Sequence, residues 1–368
     1  MKKKIASLLL SLLLLTWMLP CVQAAEEPTV SNLWDLHYYI VSCAQNLDGT
    51  IIFSYTEELD DVCQHSEELW DVFKNWGIQD GTLYFYQNTR RVELADIVYR
   101  TGFRIAEADR TGAFGILNEE EQATHAIARQ IANEALASSD TQLEVERYIH
   151  DAICRITTYE QTEDLNVPHD SAVGALYYGR AECDGYADAF YLIGKLAGLN
   201  ISYQTGDSYD EETGELAGHM WNRIFLNGGW HHVDVTWDDL GFEDDSSICT
   251  YRYFNLGYDM MMNHSWKEHL VYNETVGNTD WNVFFYTCGQ GGQEGFGAYY
   301  ESLEDAAWYV ASQWRAGARS AHVMVKDGYH EDSILFNEYL TKTDLYGSWT
   351  SWADMMGEYT CFDVLFYD

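Results

Sequence analysis

A regular spacing of apolar and small residues predicts a helix that begins at Cys183. One face of that helix collects Tyr186, Ala187, Phe190, Ile193, Leu196 and Ala197. Gly198 follows, and glycine commonly ends a helix in the left-handed conformation. Cys183 is therefore expected in the first turn, where unpaired N–H groups and the helix dipole favour an anion. Such a position lowers the pKa of a thiol and enriches the nucleophilic thiolate.

Alternating aromatic and β-branched residues predict a β-hairpin further along the chain. Residues 219–226 and 230–237 are predicted as its strands, joined at Asn227-Gly228, which is the preferred pair for a two-residue turn. That turn pairs Leu226 with Gly229 and places Asp234 opposite Trp221. His219 then lies diagonally across on the same face, within side-chain reach of Asp234. A loop one residue longer would turn Asp234 to the other face of the sheet.

The remaining patterns predict mixed flanks around this core, and the fold class is therefore α+β. The sequence predicts a helix that carries Cys183 and packs on an antiparallel sheet that carries His219 and Asp234. A catalytic domain is expected at 113–275, between α/β regions at 25–112 and 276–368, with no evident sequence repeat. Helices are predicted at 57–75, 117–154 and 301–314, and strands at 49–55, 82–87, 98–103, 321–326, 333–340 and 361–368.

Cys183, His219 and Asp234 together are typical of a cysteine nucleophile, its base and the carboxylate that orients the base. His232 shares the predicted face of Asp234 and is the alternative base. The carboxylate of Glu182, directly before the nucleophile, disfavours a thiolate.

Several segments of the sequence resemble those of a known family. They are "AECDGYADAF" (181–190), "GHMWN" (218–222), "VDVTWD" (233–238), "IHDAICRITTY" (149–159) and "YRYFN" (251–255). The stretch from about 145 to 270 resembles the transglutaminase-like (papain-like) superfamily, in a secreted bacterial form. The resemblance implies acyl transfer at an amide or peptide bond through a thioester on Cys183. Hydrolysis by a peptidase or amidase is the first expectation, transamidation at protein glutamine the second, and a non-catalytic binding or scaffold module the third.

No cofactor or metal is expected, because the histidines and cysteines lack the paired spacing of metal ligands. His264 and His269 are five residues apart and are expected in surface or capping roles. The acidic residues after Asp234 lack the spacing of a calcium loop. Eight cysteines are present, which leaves room for three disulfides beside Cys183.

The N-terminus and the charge indicate where the protein acts. Three lysines precede an apolar run from Ile5 to Leu19, followed by "VQA", which predicts a signal peptide at 1–24. No second apolar stretch is long enough to span a membrane, so a secreted, extracellular protein is expected. The 21 basic and 59 acidic residues give a net charge of −38, which argues against nucleic acid and anionic lipid as partners. Protein or peptide substrates, including cell-wall peptide, therefore remain as the expected partners.

Overall fold

The structure is a computed structural model that describes residues 27–160, 166–209, 214–226, 228–239, 249–257, 261, 263–267, 270, 298–326, 332–356 and 359–367. The predicted signal peptide lies outside these residues. Within them, no helix is both long and apolar enough to cross a membrane.

The N-terminal part forms a small sheet with helices against it. Its strands follow the order β1-β2-β4-β3, in which β1 and β2 are parallel and the other pairs antiparallel. Apolar residues of alternate strand positions, such as Ile51 and Phe53, are fully buried against the helices. The elements are β1 (Thr29–Val30), α1 (Leu33–Gln45), β2 (Thr50–Tyr55), α2 (Asp60–Cys63), α3 (Ser66–Lys74), β3 (Ile78–Tyr86) and β4 (Arg91–Tyr99).

The central part packs helices on a five-stranded antiparallel sheet ordered β10-β9-β8-β7-β11. The predicted α+β class is confirmed, with the helix that begins at Cys183 against the sheet that carries His219. The helices are α4 (Thr101–Thr111), α5 (Glu119–Ser138), α6 (Gln142–Ile156), α7 (Cys183–Leu196) and α8 (Val235–Asp238). The strands are β5 (Thr158–Tyr159), β6 (Arg180–Ala181), β7 (Ile201–Tyr209), β8 (Leu216–Leu226), β9 (Gly229–Val233), β10 (Phe254–Leu256) and β11 (His264–Ser265).

The hairpin register follows the sequence, but its second strand is shorter than predicted. Leu226 pairs with Gly229 and Asn222 with Val233, as the two-residue turn requires. The strand then ends at Val233, because the side chain of Asp234 accepts hydrogen bonds from the amides of Thr236 and Trp237 and caps α8. The prediction of a strand through residue 237 was therefore wrong.

The C-terminal part repeats the topology of the N-terminal part. Its sheet is ordered β12-β13-β15-β14, again with one parallel pair followed by two antiparallel pairs. The order of helices and strands along the chain also agrees, except that two helices stand between the second and third strands of the N-terminal part where the structure describes one in the C-terminal part. The elements are β12 (Ala298–Tyr300), α9 (Leu303–Arg315), β13 (Ser320–Val325), α10 (Asp332–Lys342), β14 (Ser348–Met356) and β15 (Tyr359–Tyr367).

The two flanks correspond residue by residue over their first helix and the next strand. The helices start at residues 33 and 303 and the strands at 50 and 320, so the offset is 270 in both cases. Asn32 and Ser302 cap the helices through the amides of Asp35 and Asp305. Leu47 and Gly317, also 270 apart, both have positive φ. The flanks are two copies of one module, a repeat that the sequence patterns did not reveal.

Two segments predicted as strands are helical. Residues 333–340 lie in α10, where Phe336 and Leu340, four residues apart, are fully buried while Ile334 is exposed. A short apolar run is compatible with either structure, and here the core contacts follow the helical period. The predicted strand at 98–103 ends at Tyr99, and α4 begins at Thr101.

A buried carboxylate on α7 fixes how α4 packs on the catalytic helix. Asp188 accepts hydrogen bonds from the amides of Gly102 (2.7 Å) and Ala172 (2.8 Å) and from the hydroxyl of Tyr203 (2.7 Å). A side chain at Gly102 would place its Cβ 2.5 Å from the carbonyl oxygen of Asp188, so only glycine fits this contact.

We expect Asp188→Asn to lower the free energy of unfolding by about 2–3 kcal/mol. The amide group of asparagine would face N–H and O–H donors that now reach a carboxylate oxygen. Urea unfolding followed by circular dichroism measures the change. Asp207→Asn, at an exposed position of β7, is the control and should change stability by no more than about 0.5 kcal/mol. Equal stability of both variants would contradict this account of the Asp188 contacts.

Candidate active site

Cys183 is the first residue of α7, as the sequence predicts, and its thiol is partly buried. The backbone amide of Met220 on β8 donates a hydrogen bond to the sulfur. Burial and the carboxylates of Asp184 and Asp234 nevertheless raise the pKa of the Cys183 thiol to about 12. The expected lowering of this pKa by the helix N-terminus is therefore outweighed. At neutral pH Cys183 is therefore a neutral thiol, which would need a base to act as a nucleophile.

His219 and Asp234 lie in direct contact, as the hairpin register predicts. Nε2 of His219 is 2.6 Å from Oδ2 of Asp234, and both side chains are almost fully buried. The other carboxylate oxygen of Asp234 accepts from the amides of Thr236 (3.0 Å) and Trp237 (3.3 Å). Because Nε2 of His219 faces a carboxylate, Nε2 carries the proton and Nδ1 is left to act as a base.

His264 is a third member of this cluster that sequence reasoning missed. Its Nε2 lies 2.9 Å from Oδ2 of Asp234, and its side chain is fully buried. The expected surface or capping role for His264 is therefore wrong. The residue lies on β11, which joins the sheet at the edge of β7, and no local spacing links it to Asp234. The signal in the sequence was the phrase "NHSW", in which the family resemblance places His264.

The electrostatics of Asp234 follow from these contacts. Burial alone would raise the pKa of this carboxyl. The interactions of the carboxyl with His219 and His264 outweigh burial and hold the pKa of Asp234 well below its usual range. Asp234 is therefore a carboxylate at neutral pH, which is what an orienting group requires.

His232, the alternative base, is held in a different contact. Its Nδ1 accepts a hydrogen bond of 2.9 Å from Nε1 of Trp221, and its ring lies 4.5 Å from that of Trp266. In the sheet it pairs with Arg223 rather than with a residue of the cluster. His232 therefore packs against Trp221 and Trp266, and the contact with Asp234 is made by His219 and His264.

An ion pair from the N-terminal module reaches the nucleophile. Oδ1 of Asp184 is 3.7 Å from the sulfur of Cys183, and its Oδ2 accepts from Nη1 of Arg100 at 3.0 Å. Arg100 is nearly buried, and its guanidinium lies over the ring of Tyr203. Sequence reasoning considered Glu182 as the carboxylate that opposes the thiolate; Asp184 is the neighbour in contact with the sulfur.

A groove of about 940 Å³ opens beside His219. One wall comes from α3 and β3 of the N-terminal module, including Trp70 and Asp80, and the other from β7, β8 and β11. Two basic residues of the groove form ion pairs with carboxylates in or beside it. Arg100 pairs with Asp184, and Lys267 pairs with Glu68 and Asp71. The groove is large enough for several residues of a peptide and leads to the imidazole.

His219, Asp234 and His264 also form a group whose atoms are close enough to bind one metal ion. A tetrahedral zinc ion, however, separates its nitrogen and oxygen ligands by about 3.3 Å, given bonds of about 2.0–2.1 Å. The 2.6 Å between His219 and Asp234 is the length of a short hydrogen bond. A shared proton fits this contact better than a cation.

Comparison with known proteins agrees with this arrangement. Residues 129–235, which include Cys183, His219 and Asp234, match the sequence model of the Transglutaminase-like superfamily. This segment is a transglutaminase-like domain. The match covers the helix of the thiol and the hairpin of the imidazole, so the likeness falls on the elements that build the cluster.

The transglutaminase-like domain is similar to part of a human protein, kyphoscoliosis peptidase, with 30% identity over 138 residues. The match covers 34% of this chain and only 20% of the human protein. Among solved structures, the chain is similar to a crystal structure of a TGase (14% identity, TM-score 0.29, 60% of this chain and 61% of that one). It is also similar to a putative cysteine protease from Cytophaga hutchinsonii (11% identity, TM-score 0.26, 43% and 61%).

We expect Asp184→Asn to lower the pKa of the Cys183 thiol in the transglutaminase-like domain by about one unit. The variant removes the adjacent negative charge, which is one of the causes that raise the pKa of this thiol. At a pH below the pKa, each unit of lowering raises the thiolate fraction about tenfold. The pH dependence of iodoacetamide alkylation at Cys183, followed by peptide mapping, measures the shift.

Glu182→Gln is the matched control for this experiment. It removes a carboxylate of similar sequence distance that the structure does not place in hydrogen-bond contact with the sulfur, so its effect should be smaller. If both variants gave the same pH profile as the unaltered protein, Asp184 would not control the thiol.

Proposed function

We propose that this protein is a secreted cysteine hydrolase, a peptidase or amidase, in which Cys183 is the nucleophile, His219 the base and Asp234 the orienting carboxylate. The observation that carries the proposal is the buried contact of His219 with Asp234, on a strand whose next residue, Met220, donates its amide to the sulfur of Cys183 at a helix N-terminus. The pairing of a histidine with a carboxylate is the arrangement that allows an imidazole to deprotonate a neutral nucleophile.

The reaction then follows from the protonation states. Nδ1 of His219 takes the thiol proton as the sulfur of Cys183 attacks the carbonyl carbon of an amide. The backbone amide of Cys183, at the start of α7, is placed to stabilise the oxyanion. The imidazolium returns the proton to the leaving amine when the C–N bond breaks, which leaves a thioester. Water, deprotonated by the same imidazole, releases the acid and restores the thiol.

A high thiol pKa favours this general-base course over a preformed thiolate–imidazolium pair. With the pKa of Cys183 near 12, almost no thiolate is present at neutral pH. We infer that transfer of the thiol proton to His219 accompanies attack. Asp234 compensates by stabilising the imidazolium as it forms.

The groove supports a peptide or protein as substrate. Its length accommodates residues on one side of the scissile bond, and Trp70 and Trp266 offer apolar surface within it. Acidic residues such as Asp80 and Asp207 line it as well, so basic or amine-bearing peptides, including those of the cell wall, are favoured over acidic ones. Transamidation is the second function, since a primary amine that enters the same groove can replace water.

We expect Cys183→Ala to abolish turnover, and His219→Ala to reduce kcat by orders of magnitude. Cys183→Ala should leave the unfolding transition nearly unchanged, whereas His219→Ala should also lower stability, because it removes a donor to the buried carboxylate of Asp234. Asp234→Asn should reduce kcat by roughly 10²–10⁴-fold, because an amide can no longer accept from both imidazoles and stabilise the imidazolium. Hydrolysis of a fluorogenic peptide library and labelling by a thiol-reactive acyl probe are the measurements.

Cys43→Ala, a buried cysteine of the N-terminal module, is the matched control and should retain labelling and turnover. Continued turnover by Cys183→Ala would refute the proposed nucleophile. A Cys183 thiol inert to every probe, together with blank substrate panels, would instead support a binding module.

We expect hydrolysis to dominate over amine transfer when both acceptors are offered. A glutamine-bearing and a lysine-bearing peptide, each incubated with and without a labelled primary amine, separate the reactions by mass. Predominant incorporation of the amine would change the assignment to a transamidase.

A further inference from the structure

A second cluster of chemically reactive side chains lies in the central part and takes no part in the proposed reaction. His150 and Cys154, four residues apart on α6, share one helix face. Cys249, which follows the segment after α8, approaches them. Nδ1 or Nε2 of His150 and the two sulfurs all lie within 4.8 Å of one another, and all three residues are buried.

We propose that His150, Cys154 and Cys249 bind a zinc ion, with the carboxylate of Asp151 as the fourth ligand. Nitrogen and sulfur donors with one oxygen are the set that zinc takes in proteins. A site with two thiolates, one imidazole and one carboxylate would be a structural site, because every coordination position is occupied by protein.

The distances between the donor atoms fit such an ion. Nδ1 of His150 is 3.8 Å from the sulfur of Cys249 and 3.0 Å from Oδ1 of Asp151, and that oxygen is 3.5 Å from the same sulfur. Zinc bonds of about 2.0–2.1 Å to nitrogen or oxygen and about 2.3 Å to sulfur give tetrahedral edges of about 3.3 Å between N and O and about 3.6 Å to S. Each of these three distances is within about 0.4 Å of its edge.

The surrounding groups are those that accompany a bound zinc. The second ring nitrogen of His150, Nε2, lies 3.2 Å from Oδ2 of Asp238, which reproduces the carboxylate–histidine–zinc arrangement. Asp238 is fixed in turn by the hydroxyl of Thr250 and the amide of Tyr253. The hydroxyl of Tyr251 donates to Asp151. The imidazole is thus oriented with Nδ1 towards the two thiols.

The ion would join two parts of the chain that both border the active site. It would fasten α6 to the segment that begins at Cys249. Through Asp238 it would also steady α8, the single helical turn that Asp234 caps. The site stands on its own contacts and does not depend on the proposed hydrolysis, so metal removal is expected to affect folding of this region before chemistry.

A disulfide between Cys154 and Cys249 is the competing outcome, because both are thiols in the structure and lie close together. The zinc site is favoured because a ring nitrogen of His150 lies within 4.8 Å of both sulfurs, and Asp151 contacts His150 and Cys249. A disulfide would use the sulfurs alone and would leave these contacts of His150 and Asp151 without a role.

The test is the zinc content of the full chain, purified from zinc-supplemented medium, by mass spectrometry of the metal. We expect one zinc per chain, lost in Cys154→Ser and Cys249→Ser and retained in Cys43→Ser. Cys154→Val, which preserves the buried volume, keeps the test valid if the serine variants fail to fold. Asp238→Asn should retain zinc with an affinity reduced about 10–100-fold.

Reconstitution of chelated protein supplies a second readout. Zinc chloride should raise the Tm of the unaltered chain but not of Cys154→Val, and cobalt should give the visible spectrum of a tetrahedral thiolate site. His264→Ala should bind both metals normally. A folded, reduced chain without zinc, a Cys154–Cys249 disulfide in the peptide map, or loss of zinc in His264→Ala would each overturn the proposal.

Discussion

The buried carboxylate of Asp234 is the contact on which the catalytic arrangement depends. One of its oxygens accepts hydrogen bonds from the imidazoles of His219 and His264, and the other accepts hydrogen bonds from two backbone amides of α8. A buried anion is stable only when its acceptor sites are satisfied, so each donor is required to hold the others in place. The same residue ends β9, starts α8 and orients the base, and therefore secondary structure and chemistry cannot vary independently at this position.

Local patterns were sufficient to predict the elements that carry the nucleophile and the base. The helical period after Cys183 and the Asn-Gly turn placed Cys183, His219 and Asp234 without reference to distant contacts. His264, Asp184 and Arg100 could not be placed in this way. His264 reaches the site from strand β11, Asp184 is a neighbouring carboxylate in contact with the sulfur, and Arg100 comes from a second module. No spacing in the sequence encodes such contacts. The helix at Asp332–Lys342 was misread because a short apolar run suits both a strand and a helix.

The repeat escaped detection for a related reason. The two modules share the order of their elements, the capping of the first helix and the positive φ at Leu47 and Gly317. Few side chains are identical between them, because a small module is specified by burial pattern and capping rather than by particular residues. The C-terminal copy packs through Asp363, which pairs with Arg252 of the central part and with His322 at 2.6 Å.

The two copies occupy unequal positions relative to the groove. Helix α3 of the first copy lines the groove, whereas its counterpart α10 contributes none of the groove-lining residues that the structure describes. Substitutions in α3 and β3 would therefore reshape the groove while leaving the helix of Cys183 in place. Among the described residues, substitutions in α10 would act through the packing of the second copy alone. The same small module thus forms a wall of the groove at one end of the chain and a support for the central part at the other.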